Sequence, residues 1–296
     1  MRRRVDGVLL LDKPRGITSN GALARVKHLY AAEKAGHTGT LDPLASGLLP
    51  ICFGEATKFA GFLLDAPKRY VATVRFGVTT STLDAEGDIV ATQPVDFGVD
   101  ALRDALRGFV GPQLQTPPAH SALKLGGRPY YEYARAGIDI PRAPREVVIA
   151  SMELLDWQPP DAVIDVECSK GTYVRTLADD VGRAMGCGAH LFALRRTRTG
   201  TFAINAASSL AAVERMDDAS RMALLLPVDA PLASIARLDL DDAVAAALAY
   251  GQRPCTVAPA GRYRVYGPDG RFAGVAEVAS GQLAAIRLVD TRKACA

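Results

Sequence analysis

The alternation of hydrophobic and polar residues along positions 68–76 is typical of a half-buried β-strand. Tyr70, Ala72, Val74 and Phe76 fall on one face, while Thr and Arg side chains fall on the other. Successive side chains of a strand point to opposite faces of a sheet. The pattern therefore predicts a strand that places Tyr70 on its buried face.

Hydrophobic periodicity predicts the other elements in the same way. A short apolar run and further alternating runs predict strands over residues 7–12, 147–157 and 162–168 and within 191–204. Helical spacing predicts helices after capping residues 18–20 and over 100–109, 130–136, 174–185, 210–222 and 242–250. Segments 36–47 and 79–88 are expected to be loops, and Gly126-Gly127 is expected to turn a hairpin.

The chain changes character after residue 253. Short hydrophobic segments at 263–266, 272–278 and 283–288 alternate with turn sequences such as Pro268-Asp269-Gly270. This alternation predicts a small β-rich unit of about 45 residues. The boundary before this unit is expected between Pro231 and Leu238.

Length and composition restrict the class of protein. Of the 296 residues, 49% are hydrophobic and 23% are charged, which is typical of a globular protein with a full core. No run approaches the ~18 apolar residues of a membrane span. The arginines at 2–4 precede an apolar run that is too short for a signal peptide. We therefore expect a cytoplasmic protein.

The cysteine pattern argues against disulfides and zinc. No Cys-x-x-Cys pair occurs among the five cysteines, which are Cys52, Cys168, Cys187, Cys255 and Cys295. An odd number of cysteines without such a pair disfavours a disulfide framework and a zinc site. The thiols are expected to be buried small residues in a reducing compartment.

Basic residues cluster locally, although the net charge is only +3. Residues 1–75 contain 12 Lys and Arg against 6 Asp and Glu, and a second basic segment covers 117–145. A third cluster consists of Arg195, Arg196 and Arg198. Such patches permit contact with a polyanion, and ordinary solvated faces are the alternative for each.

The segment 36–47 has the residue types of a reactive loop. It is dense in glycine and hydroxyl side chains and contains one His and one Asp, but it lacks the Gly-Lys-Ser/Thr ending of a phosphate-binding loop. Asp42 precedes Pro43, which favours an extended backbone that can project the carboxylate into a cleft. The alternative is an Asp that caps a turn.

A second segment, 168–177, combines an aromatic ring with a guanidinium. Tyr173 and Arg175 are two positions apart, so an extended backbone would point both side chains the same way. That pair suits a flat base and a carboxylate. Packing together with a surface ion pair is the alternative.

Six segments, found in the same order along the chain, resemble the TruB family of tRNA pseudouridine synthases. The most specific block is GHTGTLDPLASGLLP at residues 36–50. Further matching blocks are GVLLLDKPRGITSN (7–20), KRYVATVRFG (68–77), SALKLGGRPYYEYARAG (121–137), CSKGTYVRTLADDVG (168–182) and GAHLFALRRTRTGTF (188–202). Residues 261–278 resemble the PUA-like RNA-binding domain of that family. The resemblance covers nearly the whole chain.

The resemblance implies an α/β fold of the α+β type with two domains. A catalytic domain with a mixed, mainly antiparallel sheet is expected over residues 1–235, and a small β-rich PUA-like domain over 236–296. Residues 117–145 are expected to form an RNA-binding insertion that contacts phosphates of the tRNA T-arm. Its contacting residues would be Lys124, Arg128, Arg135, Arg142 and Arg145.

The resemblance also assigns the catalytic residues. Asp42 would be the nucleophile, and Arg175 beside it would lower the pKa of that carboxyl and fix its direction. Tyr70 would stack on the flipped-out uracil and carry the C5 proton. From the residues alone, core packing of Tyr70 is the alternative. Three pathways stay open, namely attack at uracil C6, attack at C1′ and a glycal-like intermediate.

Three further residues are expected to contact the substrate. Tyr173 and Leu194 would line the uracil, and His37 would fill the space that the base leaves. The implied protein is a standalone isomerase that converts uridine 55 in the T-loop of tRNA to pseudouridine. No cofactor, metal or protein partner is implied, and nothing requires more than a monomer.

Three other classes of function are alternatives to this isomerase. A glycoside-type hydrolase would pair Asp42 with Asp84 or Asp88 as acid and base. A non-catalytic protein on the same scaffold would bind or fold tRNA without needing Asp42, Tyr70 and Arg175 together. A guide-RNA-dependent enzyme is the third, and the basic insertion at 117–145 favours standalone recognition of tRNA.

Overall fold

The computed structural model describes residues 2–290, and within this range the strands form one large sheet of ten strands, one of four and two hairpins. The large sheet contains β1 (Gly7–Lys13), β2 (Ala35–His37), β3 (Ala45–Phe53), β4 (Lys68–Phe76), β7 (Gly111–Gln115), β10 (Arg145–Gln158), β11 (Asp161–Cys168), β12 (Ala189–Thr199), β13 (Phe202–Ala203) and β14 (Ser208–Ser209). The hairpins are β5 (Val78–Thr80) with β6 (Ile89–Thr92), and β8 (Lys124–Leu125) with β9 (Arg128–Pro129).

The large sheet is mixed and mainly antiparallel. Its main order is β14-β1-β3-β12-β4-β11-β10-β7, with β2 added to β3 and β13 added to β12. Only the pairs β1–β14 and β3–β12 are parallel among these strands of the described chain. The expected fold class is therefore confirmed, as are the strand over 68–76 and the hairpin at Gly126-Gly127.

Eight α-helices occur in the described part of the chain. They are α1 (Ser19–Leu29), α2 (Ala60–Asp65), α3 (Val99–Gly108), α4 (Tyr130–Arg135), α5 (Val174–Ala184), α6 (Leu210–Arg215), α7 (Asp218–Ala223) and α8 (Asp242–Ala249). Single 3-10 turns cover Gly54–Phe59, Ile204–Ala206 and Ala230–Leu232. The prediction of a single helix over 210–222 was wrong, because two helices cover this segment. The chain breaks at Met216, and the Asp217 side chain accepts a hydrogen bond from Ser220 N at 2.7 Å to cap a new helix.

Strands β1 and β3 lie between two hydrophobic clusters. The residues of β1 alternate between them, so Leu9 and Leu11 pack in the main core whereas Val8 and Leu10 pack in the smaller one. Helices α1, α3 and α5 contribute to the main core on one side of the sheet. Burial on both faces explains the continuous apolar runs at 7–11 of β1 and 47–53 of β3, whereas β4 alternates.

The C-terminal part contains its own sheet of four strands. These are β15 (Ala236–Asp239), β16 (Gly261–Tyr266), β17 (Phe272–Ala279) and β18 (Gln282–Leu288). A hydrophobic cluster joins this sheet to the first part of the chain. Its fully buried members are Phe59, Leu232 and Val275. The Phe59 and Phe272 rings meet edge to face with centroids 5.3 Å apart. This contact joins the C-terminal sheet to the 3-10 segment that follows β3.

Three further expectations need correction or qualification. The loop expected over 36–47 is shorter, because its ends pair in β2 and β3 and only residues 38–44 remain outside strands. Part of the loop expected over 79–88 is strand β5. Cys255 is exposed, since it lies in the irregular segment between α8 and β16, whereas Cys52, Cys168 and Cys187 are buried. Cys295 lies outside the described residues.

No helix within residues 2–290 combines the length and apolar character that crossing a membrane requires.

Candidate active site

A cleft of about 340 Å³ opens where β4, β12, the 38–44 turn and the start of α5 meet. Five residues singled out from the sequence line it, namely Asp42, Tyr70, Tyr173, Arg175 and Leu194. They come from four segments that are distant along the chain. The structure therefore brings most of the expected site together in one cavity.

The turn that carries Asp42 is held by the start of α1. The buried Ser19 hydroxyl accepts a hydrogen bond from Leu41 N at 2.7 Å and lies 2.9 Å from Leu41 O, to which it donates. Ala45 N donates to Asp42 O at 3.0 Å, and Gly16 N donates to Pro43 O at 2.8 Å. These bonds fix the backbone on both sides of Asp42 and leave its carboxylate directed into the cleft.

Arg175 is shared between two carboxylates. One terminal nitrogen lies 3.1 Å from Asp42 Oδ2, and the other lies 3.2 Å from Asp84 Oδ2. The first nitrogen also donates to His120 O at 2.9 Å. The side chains of Arg175 and Asp84 are only 7% and 4% exposed, whereas that of Asp42 is 41% exposed. Asp42 is thus the carboxylate of this triad that a substrate can reach.

Asp84 is a site residue that the sequence analysis considered only as part of a hydrolase. Its second oxygen, Oδ1, accepts hydrogen bonds from Thr82 Oγ1 at 2.5 Å and from Glu86 N at 3.1 Å. An isolated β-bridge between Asp84 and Leu191 holds its backbone against β12. Because both Asp84 oxygens are engaged, this carboxylate is suited to hold Arg175 in place rather than to react. The polar Thr82–Glu86 sequence alone did not distinguish it from a turn.

The backbone at Tyr173 differs from the extended arrangement considered from the sequence. Tyr173 itself is extended, with φ −96° and ψ 107°, but α5 begins at Val174 and so Arg175 is helical. Gln115 holds the turn, because its side chain accepts from Tyr173 N at 2.7 Å and donates to Tyr173 O at 3.1 Å. Both side chains nevertheless line the same cleft, since the direction changes where the helix starts.

The pKa of the Asp42 carboxyl is raised above its ordinary value. Burial is the largest cause, and the nearby Asp84 charge adds to it, while Arg175 and Lys13 oppose the shift. Arg175 lowers the pKa of Asp42, as expected, but desolvation outweighs the attraction of the guanidinium and the net shift is upward. The cation remains the largest single influence that favours the ionised form.

Tyr70 and Arg196 meet on neighbouring strands at the base of the cleft. They are direct partners in the β4–β12 register, and both line the cavity. Arg196 is 1% exposed, so its assignment to a basic surface patch with Arg195 and Arg198 was wrong. Alternation along β12 separates the buried Arg196 from the exposed Arg195, and a register shift between Arg196 and Arg198 leaves Arg198 exposed as well.

A second cavity of about 700 Å³ adjoins the first on the other side of Asp42. It is lined by His37 and by two of the expected RNA-contacting residues, Lys124 and Arg135. His37 therefore lies beside the cleft rather than in it. Its Nδ1 is buried without a hydrogen-bond partner in the described structure, and its pKa is lowered by burial and by the charge of Arg196.

The remaining basic residues of segment 117–145 line neither cavity. Arg128 lies over the ring of Tyr133 and pairs with Glu132, and Arg142 donates to Pro117 O at 3.2 Å. Arg145 begins β10 and is exposed. The structure thus divides the five expected contacts into two at the second cavity and three on the surface around it.

The acidic, cysteine and histidine side chains of residues 2–290 form no group of three that is placed to hold a metal ion.

Comparison with protein families matches the chain in three consecutive parts. Residues 27–174 match the TruB family pseudouridylate synthase N-terminal domain, and 175–233 match the tRNA pseudouridylate synthase B C-terminal domain. Residues 236–289 match the pseudouridine synthase II TruB C-terminal domain. A protein from Thiobacillus denitrificans named tRNA pseudouridine synthase B is 54% identical over 294 residues, 99% of each chain. One of the same name from Burkholderia mallei is 53% identical, covering 98% of this chain and 99% of its own.

Solved structures with this fold include a chain of an H/ACA ribonucleoprotein bound to a substrate RNA that contains 2′-deoxyuridine. It has a TM-score of 0.72 and 23% identity, and the match covers 97% of this chain and 86% of that one. A chain from a Cbf5-Nop10-Gar1 complex has a TM-score of 0.72 and 25% identity, with 96% and 84% covered. These likenesses agree in fold with the large mixed sheet described above.

The electrostatics of the triad predict opposite shifts for two substitutions. Arg175→Met removes the cation that favours ionisation, so the pKa of Asp42 should rise further. Asp84→Asn removes a like charge, so the pKa of Asp42 should fall. The measurement is a pH titration of the carboxyl carbons by NMR in protein labelled at aspartate, with Asp42→Asn to assign the signal. The exposed Asp104 provides an internal reference. Shifts in the same direction would contradict this account of the site.

Proposed function

Because the chain belongs to the TruB family of pseudouridylate synthases, we propose that it converts uridine 55 in the T-loop of tRNA to pseudouridine. The proposed enzyme acts as a monomer in the cytoplasm, without a guide RNA. Formation of pseudouridine in tRNA is the activity that the names of the relatives with 52–54% identity support. The position in tRNA, the T-arm as the bound part and the catalytic residues are the finer content of the proposal.

One observation carries the proposal, namely that Asp42 is the one carboxylate among the described residues lining the cleft of about 340 Å³, where it lies with an aromatic ring and a buried guanidinium. Asp42 is 41% exposed and lies 3.1 Å from Arg175, while the second carboxylate of the triad is enclosed. A glycoside hydrolase needs two carboxyl groups that both reach the substrate. The exposed Glu86 lines only the adjoining cavity, so within the cleft itself the arrangement favours one nucleophile over an acid–base pair.

Asp42 has to be ionised in each of the three pathways considered, either to attack uracil C6 or C1′ or to help form the glycal-like intermediate. Breaking the N1–C1′ bond and forming the C5–C1′ bond leaves the composition of the nucleoside unchanged. Arg175 directs the carboxylate and stabilises its charge against burial. The raised pKa of Asp42 means that activity declines on acidification at a higher pH than for an ordinary aspartate. The sign follows because the protonated carboxyl is inactive.

The walls of the cleft suit a flipped-out uracil. In the proposal, Tyr70 stacks on the base and takes the C5 proton, while Tyr173 and Leu194 line the remaining walls. All three side chains face the cavity that contains Asp42. His37, in the adjoining cavity, fills the place in the RNA that the uridine leaves. Flipping costs a few kcal/mol of lost stacking, which these contacts offset.

Two regions are proposed to hold the rest of the tRNA. Residues 117–145 would contact phosphates of the T-arm, and residues 236–296 would act as a PUA-like RNA-binding domain that follows the catalytic domain of residues 1–235. Lys124 and Arg135 line the second cavity, which Asp42 also lines, and this shared cavity supports the proposed contact. Contacts of this kind position the RNA without reading its sequence.

The first test identifies the product and its position. A tRNA transcript incubated with the protein should contain one nucleoside of unchanged mass and altered chromatographic retention, and chemical mapping should place it at position 55. A transcript with U55→C should remain unmodified. Release of free uracil would instead indicate a hydrolase, and binding without any change in the RNA would indicate a non-catalytic tRNA-binding protein.

The second test concerns the basic residues beside the site. Lys124→Ala and Arg135→Ala should each weaken tRNA binding and lower the slope of log affinity against log salt by about 1, because one phosphate contact is lost. Arg103→Ala is the matched control, since Arg103 is a half-exposed arginine on α3, outside segment 117–145. Fluorescence anisotropy with labelled tRNA across a salt series measures both quantities. Equal effects of all three substitutions would reject the proposed contact surface.

A further inference from the structure

Arg196 is a buried cation for which the described residues provide no carboxylate within ion-pair distance. Its Nε donates to Leu48 O at 2.7 Å, and one terminal nitrogen donates to Gly39 O at 3.1 Å. Arg175 is similarly buried, but it has two carboxylates to balance its charge. A buried charge that only carbonyl groups compensate is costly to a fold. A positive charge at this position therefore needs a reason beyond stability.

The location of Arg196 connects the two catalytic segments. On one side its strand pairs with β4, where Tyr70 is its direct partner, and on the other with β3, where Gly47 is. Gly47 has φ +104°, and a Cβ there would lie 2.3 Å from Arg196 O, so the two backbones are in close contact. Gly39 and Gly47 flank the turn that carries Asp42. The arginine thus contacts both ends of that turn and the tyrosine.

We propose that Arg196 is the positioning residue of Tyr70, holding its phenol at the cavity wall and supplying the positive charge that a phenolate there requires. This inference rests on the proposed function, in which Tyr70 takes the C5 proton. After the C5–C1′ bond has formed, C5 carries both its hydrogen and C1′. The tyrosinate removes this proton and passes it to water, and the electron pair of the C–H bond forms the C5=C6 double bond. The electrons displaced at C6 move to N1, which takes up a proton from water, or, where Asp42 has added at C6, they leave with its carboxylate.

The other charged groups near Tyr70 do not provide this help. Burial raises the pKa of Tyr70, and the nearby Asp42 carboxylate adds to the rise, whereas the positive charge of Arg196, the direct cross-strand partner, lowers it. The ammonium of Lys68 is nearby, but it donates to the carbonyls of Leu63, Leu64 and Ala66. Arg196 is therefore the cation placed to stabilise the deprotonated tyrosine.

The experiment measures single-turnover pseudouridine formation on tRNA made with protium or deuterium at uracil C5, using the full-length protein. Arg196→Met should slow the reaction about 100-fold or more, the range expected for loss of a working general base. C5 proton loss should then become the slowest step, so a primary deuterium isotope effect should appear. Arg196→Lys keeps the charge and should retain more activity. Arg103→Met is the control, because Arg103 is half-exposed on α3, pairs with Asp100 and lies outside the basic segments.

A double-mutant cycle with Tyr70→Phe separates positioning from a structural role. If Arg196 acts through Tyr70, adding Arg196→Met to Tyr70→Phe should slow the reaction little further. Equal slowing in both backgrounds, with no isotope effect, would overturn the inference. The isotope effect does not depend on the fraction of protein that is folded, so a partly unfolded variant still gives a result.

Failure of the proposed function gives a different outcome. If the wild-type protein forms no pseudouridine on any tRNA, the proposed function and this inference both fall. If the wild type is active but Tyr70→Phe reacts at the same rate, the isomerase assignment stands and the role of Tyr70, with that of Arg196, is wrong.

Discussion

The architecture of the site depends on one interaction, in which the buried guanidinium of Arg175 forms ion pairs with two carboxylates. A cation that is 7% exposed requires fixed partners, and it finds them in Asp42, in Asp84 and in the carbonyl of His120. Each partner belongs to a different segment. Satisfying this one charge therefore aligns the turn after β2, the turn after β5, the segment before β8 and the first turn of α5 around a single cleft.

The sequence predicted those parts of the structure that local patterns determine. The alternation along β4 correctly placed Tyr70 on the buried face, and the class of the large sheet was confirmed. Parts that depend on distant contacts were not predictable. The sequence around Asp84 indicates only a turn, and its ion pair with Arg175 is visible only in the structure. The sequence likewise groups Arg196 with its basic neighbours, whereas strand pairing buries it. The break at Met216 likewise follows from a cap rather than from periodicity.

Burial gives the site its chemical character. Desolvation raises the pKa of Asp42 and of Tyr70, so burial opposes the charged form of each group, although the proposed reaction needs them charged at different moments. Each has one arginine that opposes the effect, Arg175 for the carboxyl and Arg196 for the phenol. The partly apolar walls of the cleft strengthen such pairings, because they lower the local dielectric constant. The paired arrangement explains why two buried arginines lie within one cavity lining.

The central claim is that Asp42 initiates an isomerisation which must expel the C5 hydrogen of one uridine. The most direct measurement follows release of tritium to water from tRNA labelled at uracil C5, with the wild-type protein and with Asp42→Asn, which keeps the shape of the side chain but not its charge. The account predicts stoichiometric release by the wild type and none above background by the variant. Release by both proteins would contradict the role of Asp42, and no release by folded wild-type protein would contradict the reaction itself.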